Sequence, residues 1–176
     1  MFSNPQQILE QFRLEPGARV ADLGSGSGFY TLAAARIVGQ SGRVYAVDAM
    51  KDMLSKVKNE ASRAKLFNVE ALWGNIEKLG GTRLADSSVD AVLVCSTLFQ
   101  LESKTDFPTE VKRILKAKGK VLVIDWRENV KGLGPKPEHV FGPGEARSLF
   151  EQAGFAFERE VSAGEHHYGF IFKRGV

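Results

Sequence analysis

The stretch Val20-Ala-Asp-Leu-Gly-Ser-Gly-Ser-Gly-Phe-Tyr-Thr-Leu-Ala-Ala-Ala35 decides the fold. An apolar strand ends at Leu23, a turn carries glycines at 24, 26 and 28, and an alanine-rich helix follows from Phe29. Without a Cβ, glycine lets the backbone turn sharply and approach a ligand closely. The helix begins where the turn ends, so its free N–H groups and positive dipole end face whatever the turn approaches. A dinucleotide turn needs G-x-G-x-x-G, whose last glycine would fall at 29, and Phe29 stands there. The pattern present is G-x-G-x-G with an acid, Asp22, two residues before the first glycine.

Outward from this unit the chain alternates between strands and helices. Asn4-Pro5, preceded by Ser3, offers an N-cap and a first-turn proline, and Ile8, Leu9 and Phe12 then recur at helical spacing in an N-terminal segment over 1–17. Strands are expected over 18–23, 43–48, 69–73, 89–95 and 120–125. Helices are expected over 29–38, 50–65, around Val111 to Leu115 with Gly119 as its stop, and over 144–154. In the helix over 50–65, Met50, Met53, Leu54, Val57, Ala61 and Ala64 form the buried stripe. Phe155 to Val161 and His167 to Lys173 read as a closing hairpin about Ala163-Gly164, which makes the last strand antiparallel. The expected architecture is a single α/β domain over 1–176. It is a Rossmann-like three-layer sandwich, with a mostly parallel sheet of about seven strands, the last antiparallel, and helices on both faces. Residues 126–143, rich in glycine and proline, form a long loop expected to cover a cleft.

Composition narrows the class further. A chain of 176 residues with 43% hydrophobic and 26% charged residues is an ordinary globular domain with a sizeable core. One cysteine, Cys95, precludes an intrachain disulfide, and no apolar run reaches the ~20 residues that span a bilayer, so a cytoplasmic protein is expected. The net charge of +3 is mild; Lys112, Arg113, Lys116, Lys118 and Lys120 have the spacing of a solvated helix face, and without interleaved aromatics a nucleic-acid surface is not favoured.

In a parallel sheet, ligands bind at the carboxyl ends of the strands. Asp22 with the glycine turn, Asp48, Gly74-Asn75-Ile76 and Cys95-Ser96 occupy four such ends. Asp48 lies 20 residues beyond Gly28, and its carboxylate can accept from two vicinal ribose hydroxyls; the alternative is a cap for the helix that follows. Met50 offers a polarizable face to a base ring or packs in the core. Asn75 accepts through its amide oxygen or is a turn residue, and Ile76 can offer its backbone N–H to a ring. Cys95 reads as a small buried residue rather than a nucleophile, since no basic partner stands beside it in sequence.

The D-x-G-x-G-x-G run from Asp22 to Gly28, together with Arg113-Ile-Leu-Lys116 before Gly119 to Asp125, resembles the class I S-adenosylmethionine-dependent methyltransferases. The resemblance runs from about Val20 to Lys173 and is nearest the small-molecule branch that includes the ubiquinone and menaquinone methyltransferases. It implies S-adenosyl-L-methionine as cofactor, with the turn of Asp22, Gly24, Ser25, Gly26 and Gly28 around its amino-acid end. It also implies Asp48, Ala49 and Met50 at ribose and adenine, Asn75 and Ile76 at the base, and Cys95 and Ser96 near the methionine moiety. The family usually reads Gly-Asp where this chain reads Gly74-Asn75, which removes a charge-assisted bond and implies weaker binding. The implied reaction is an in-line displacement that moves a methyl group from a sulfonium to a small-molecule acceptor. Alternatives are transfer to RNA or protein, and a non-catalytic cofactor-binding module.

For the acceptor side, topology brings Glu165, His166 and His167, Tyr30 on the first turn after the glycines, and Trp126, Arg127, Lys136 and His139 of the long loop toward one edge. Adjacent residues of a regular strand face opposite ways, so His166 and His167 cannot both serve one site, and a metal pair is not expected. One of them is a candidate base or substrate ligand; the alternative is an edge histidine with structural partners.

Overall fold

The computed structural model describes residues 4–175. Seven strands form one sheet: β1 (Arg19–Leu23), β2 (Arg43–Asp48), β3 (Val69–Trp73), β4 (Val89–Cys95), β5 (Leu115–Trp126), β6 (Phe155–Glu160) and β7 (His167–Arg174). Their spatial order is β3-β2-β1-β4-β5-β7-β6, and β7 alone runs antiparallel, inserted between β5 and β6. The order reverses between β1 and β4, which opens a crevice at their carboxyl ends. Five helices flank the sheet: α1 (Pro5–Phe12), α2 (Phe29–Val38), α3 (Lys51–Arg63), α4 (Phe107–Ile114) and α5 (Pro143–Gln152). None of the described helices is long and apolar enough to cross a membrane.

The period-2 alternation of each strand splits the core into two layers. Val20, Leu93, Leu122, Ile124 and Ile171 face α1 and α2, where Ile8, Leu9, Phe12 and the three alanines 33–35 meet them. Ala21, Leu23, Val92, Val94, Val121, Val123 and Phe172 face the opposite layer, filled by Phe107 and Ile114 of α4 and Phe150 of α5. Phe150 stacks on Phe172 with ring centroids 5.0 Å apart. Asn4 caps α1 by accepting the Gln6 N–H at 2.9 Å, with Pro5 in the first turn; Ser3 lies outside the described residues.

Three expectations are corrected. Leu115 is not helical: Ser87 and Ser88 donate to the Arg113 and Ile114 carbonyls, and Leu115 already pairs with Val89 as the first residue of β5. Gly119 therefore stops no helix. It lies inside β5 at a bulge, where a Cβ would meet the Leu115 side chain at 2.5 Å and the Asp90 carbonyl at 3.0 Å. The basic run 112–120 is not a solvated helix face, because Lys116 and Lys120 belong to β5 and most of the run is paired. Arg113 bonds Glu110 and Asp86, Lys116 bonds Asp90 at 2.7 Å, and Lys120 lies 3.6 Å from Glu158. Met50 is not in the buried stripe: it is 58% exposed, and the buried residues of α3 are Leu54, Val57 and Ala61.

The long segment after β5 is irregular apart from a short 3-10 turn at Pro137–His139. It is fastened at its far end by Tyr168, whose buried hydroxyl donates to the Phe141 carbonyl at 2.9 Å. Tyr168→Phe is expected to lower the unfolding free energy by about 1 kcal/mol, read as a shift in the urea midpoint at unchanged slope, since it removes one buried hydrogen bond and keeps the ring.

Candidate active site

At the crevice, a cleft of about 290 Å³ is lined by Gly24 and Gly26 of the turn, Asp48, Ala49 and Met50 after β2, Asn75 and Ile76 after β3, and Thr97 and Gln100 after β4. Met53, Glu77 and Leu101 complete it. Asp48 holds this cleft together. Its Oδ2 accepts the Gly26 N–H at 2.9 Å and its Oδ1 accepts the Met50 N–H at 2.8 Å. The acid thus pins the glycine turn to the end of β2 and fixes the entry to α3, and a carboxylate still has about two lone pairs free after these two bonds. The ligand and cap readings of Asp48 are compatible at one side chain.

Asn75 likewise serves a turn, its Oδ1 accepting the Glu77 N–H at 2.9 Å, while the residue still lines the cleft. Gly24 sits at φ +73° with Thr97 so near that a Cβ would lie 2.8 Å from its side chain. Thr97 Oγ1 in turn donates to the Leu23 carbonyl at 3.0 Å. Beside Gly26, by contrast, nothing lies within 4 Å of a Cβ position, so the turn presents bare backbone to the cleft. The Ser25 hydroxyl next to it is buried with no hydrogen-bond partner among the described residues. The first turn of α2 has no side-chain cap.

Asp22, Gly28 and Cys95 do not line the cleft. Asp22 lies beneath the turn, where its Oδ2 accepts from Thr31 Oγ1 at 2.6 Å and ties the first turn of α2 to the end of β1. Burial raises its carboxyl to about 6; Thr31 works against that rise and Asp48 adds to it. Cys95 belongs to the core under α2, and burial, with Asp22 and Asp125 nearby, pushes its thiol well above the ordinary range, which disfavours the thiolate.

Sequence reasoning missed Thr97, Gln100 and Asp125. Asp125, at the end of β5, accepts the Leu98 N–H at 2.7 Å and the Trp126 N–H at 2.8 Å and so positions the 97–100 segment against the cleft. Burial pushes its carboxyl to about 6 despite these bonds. An acid ending a strand was the available signal. Its partners on another element were not.

A second cavity of about 560 Å³ lies on the α1 and α2 side of the sheet, lined by Pro5, Phe29, Tyr30, Ser96, Ile124, Trp126 and His167. Ser96 borders this cavity and Thr97 the first, so neighbouring residues after β4 border both. Ser96 has φ +54°, a left-handed conformation that costs a non-glycine residue about 1 kcal/mol. Its carbonyl is held by Gln100 Nε2 at 2.7 Å and its N–H by the Ile124 carbonyl at 2.8 Å. The structure separates the two histidines. His167 pairs with Trp126 across β5 and β7, rings 4.2 Å apart, on the cavity side. His166 is directed elsewhere, to Glu128 at 2.8 Å. Of residues 126–143 only Trp126 lines either cavity.

A seven-stranded sheet ordered 3-2-1-4-5-7-6 places bare glycine backbone and the acid that ends β2 at the crevice where open α/β sheets bind their ligands. The chain belongs to the methyltransferase domain family, whose profile matches residues 14–154. A crystal structure of a SAM-dependent methyltransferase from Aquifex aeolicus superposes with a TM-score of 0.90 at 31% identity, covering 98% of this chain and 90% of that one. The arsenite methyltransferase of Halobacterium salinarum is 34% identical over 64% of this chain, a match that spans only 28% of that protein's length. A demethylmenaquinone methyltransferase of Listeria monocytogenes is 25% identical over 94% of this chain and 83% of its own. The protein is an S-adenosylmethionine-dependent methyltransferase with the expected Rossmann-like fold.

Proposed function

We propose that this enzyme methylates a small-molecule acceptor, with S-adenosylmethionine in the 290 Å³ cleft and its ribose hydroxyls on Asp48. The observation that carries the reading is Asp48 itself, which lines the cleft and already holds the turn in place while keeping acceptor capacity. Met50 and Ile76 offer apolar faces to the adenine, Asn75 an amide, and the bare backbone at Gly26, the Ser25 hydroxyl and the uncapped start of α2 suit the charged amino-acid end. The bound cofactor supplies an activated methyl group on sulfur. The chain's own work is to orient the two reactants and exclude water between them.

A small acceptor is supported by the demethylmenaquinone and arsenite methyltransferases among its relatives and by the acid partners of Arg113, Lys116 and Lys120, which break up the 112–120 run as a free basic patch. Arsenite itself is thiophilic, and one buried cysteine offers it no thiolate set. The cytoplasm is the proposed compartment, in keeping with that single thiol. The test incubates the protein with methyl-tritiated cofactor and separated pools of RNA, protein and metabolites from a cell extract. Label in the low-molecular-weight fraction is the expected result; label retained on RNA or protein would overturn the small-molecule reading. Calorimetric titration with S-adenosylhomocysteine checks the cleft independently.

A further inference from the structure

The second cavity differs in character from the first. Its walls are Phe29 and Tyr30 from the start of α2, Pro5 from α1, Ile124 and Trp126 from β5, and His167 from β7. Phe29 is 75% exposed at the mouth of a glycine turn, an unusual place to leave a phenyl ring without a partner surface. Among the described residues no carboxylate, lysine or arginine lines the cavity, so none of them neutralises a charged ligand there. Flat rings do line it, and Phe29, Tyr30, Trp126 and His167 together suit a flat guest.

Among the described lining residues His167 is the one titratable group near neutral pH. The imidazole lies against Trp126 with the two rings tilted by 42°, and among the described residues no hydrogen bond engages either ring nitrogen. Burial lowers its basicity, and the neighbouring charges of His166 and Arg127 act in the same direction, which favours the neutral form that can accept a proton. From the elements packed around it, Trp126 and Arg127 face it from β5 and its continuation, and Tyr30 from α2; Asp125 turns to the opposite face, toward Leu98.

Resting on the proposed placement of the cofactor, we propose that this cavity is the acceptor site for an uncharged, flat aromatic compound bearing one hydroxyl, with His167 as the general base. The acceptor oxygen forms its bond to the methyl carbon as the carbon–sulfur bond of the sulfonium breaks and leaves a neutral thioether. The hydroxyl proton passes to His167, which takes up the positive charge that sulfur loses and later releases the proton to water. The strained Ser96, bordering this cavity beside Thr97 on the other, marks where the two ligands would meet.

The experiment uses 7-hydroxycoumarin as probe and 7-hydroxycoumarin-4-acetate, which adds one carboxylate, as its charged counterpart, both with the S-adenosylhomocysteine complex. Saturable binding of the neutral probe is expected, with perturbation of the His167 side-chain NMR resonances and not those of His166, and with at least tenfold weaker binding of the carboxylate. Trp126→Ala should weaken the neutral probe at least tenfold at unchanged S-adenosylhomocysteine affinity. With S-adenosylmethionine in single turnover, methylation of the probe should rise with pH through the His167 titration. His167→Gln should flatten that profile and slow transfer at least tenfold while probe affinity stays within about threefold. Equal binding of the two probes, no saturable binding, a response at His166, no transfer to the bound probe, or an unchanged rate in His167→Gln overturns the proposal. Failure of S-adenosylhomocysteine itself to bind would instead overturn the placement of the cofactor.

Discussion

Glu110→Ala is expected to remove about 4 kcal/mol of stability, because breaking a buried, hydrogen-bonded ion pair leaves its partners uncompensated. Glu110 is fully buried on α4, and both of its oxygens are engaged. Oε1 accepts from Thr82 Oγ1 at 2.5 Å, from the Thr82 N–H at 3.2 Å and from Arg113 Nη2 at 2.8 Å. Oε2 accepts from the Gly80 N–H at 2.7 Å and from Arg113 Nε at 2.8 Å. Arg113 then reaches the Leu84 carbonyl at 2.8 Å and Asp86 at 2.5 Å. The cluster is what fastens the irregular 78–88 segment, and with it the Gly74-Asn75 edge of the cleft, to the helical layer. Burial alone would raise the Glu110 carboxyl, but the bonds from Arg113, Thr82 and the Gly80 and Thr82 N–H groups outweigh it and hold the group at about 2. The folded value lies below the unfolded one, so the stabilisation is present above about pH 4.5 and is lost as pH falls through about 2. Guanidinium denaturation at pH 7 and pH 3 checks both statements: the variant should lie well below the parent at pH 7 and closer to it at pH 3. An equal difference at the two pH values would refute the ionic origin.

Asp48→Ala is expected to weaken S-adenosylhomocysteine binding by about 3 kcal/mol, on the order of a hundredfold in Kd, measured by calorimetry. Part of this is direct, since hydrogen bonds to a charged carboxylate are worth about 1.5–3 kcal/mol. Part is indirect, since the side chain also holds the Gly26 and Met50 N–H groups, and both residues line the same cleft. Asp48→Asn separates the two contributions. It keeps one oxygen acceptor and should retain more affinity than alanine, and an alanine variant with parental affinity would remove Asp48 from the binding site altogether.

The alternation of strand and helix, the glycine turn that ends the first strand and the antiparallel last strand were legible because each rests on local periodicity or on a turn that only glycine permits. The end of α4 was not. Gly119 carries the ordinary mark of a helix stop, yet capture of the Arg113 and Ile114 carbonyls by Ser87 and Ser88, far away in sequence, ends the helix earlier. The basic run misled for the same reason: a lysine's spacing says nothing about Asp90 or Glu158 on other strands.

By itself the sequence determined the alternation of strands and helices, the glycine turn and the acid 20 residues beyond it, and with them the resemblance that implied the family and its cofactor, because local periodicity and spacing along one chain carry that information. Only the tertiary structure decided what each polar group faces. It showed Asp48 joined to Gly26 and Met50, withdrew Asp22 and Cys95 into the core, and brought Thr97, Gln100 and Asp125 into the cleft's construction. It also turned His167 inward onto Trp126 while sending His166 to Glu128. Strand geometry requires that two neighbours face opposite ways, but the register of β7 against β5 is what assigns the face to each.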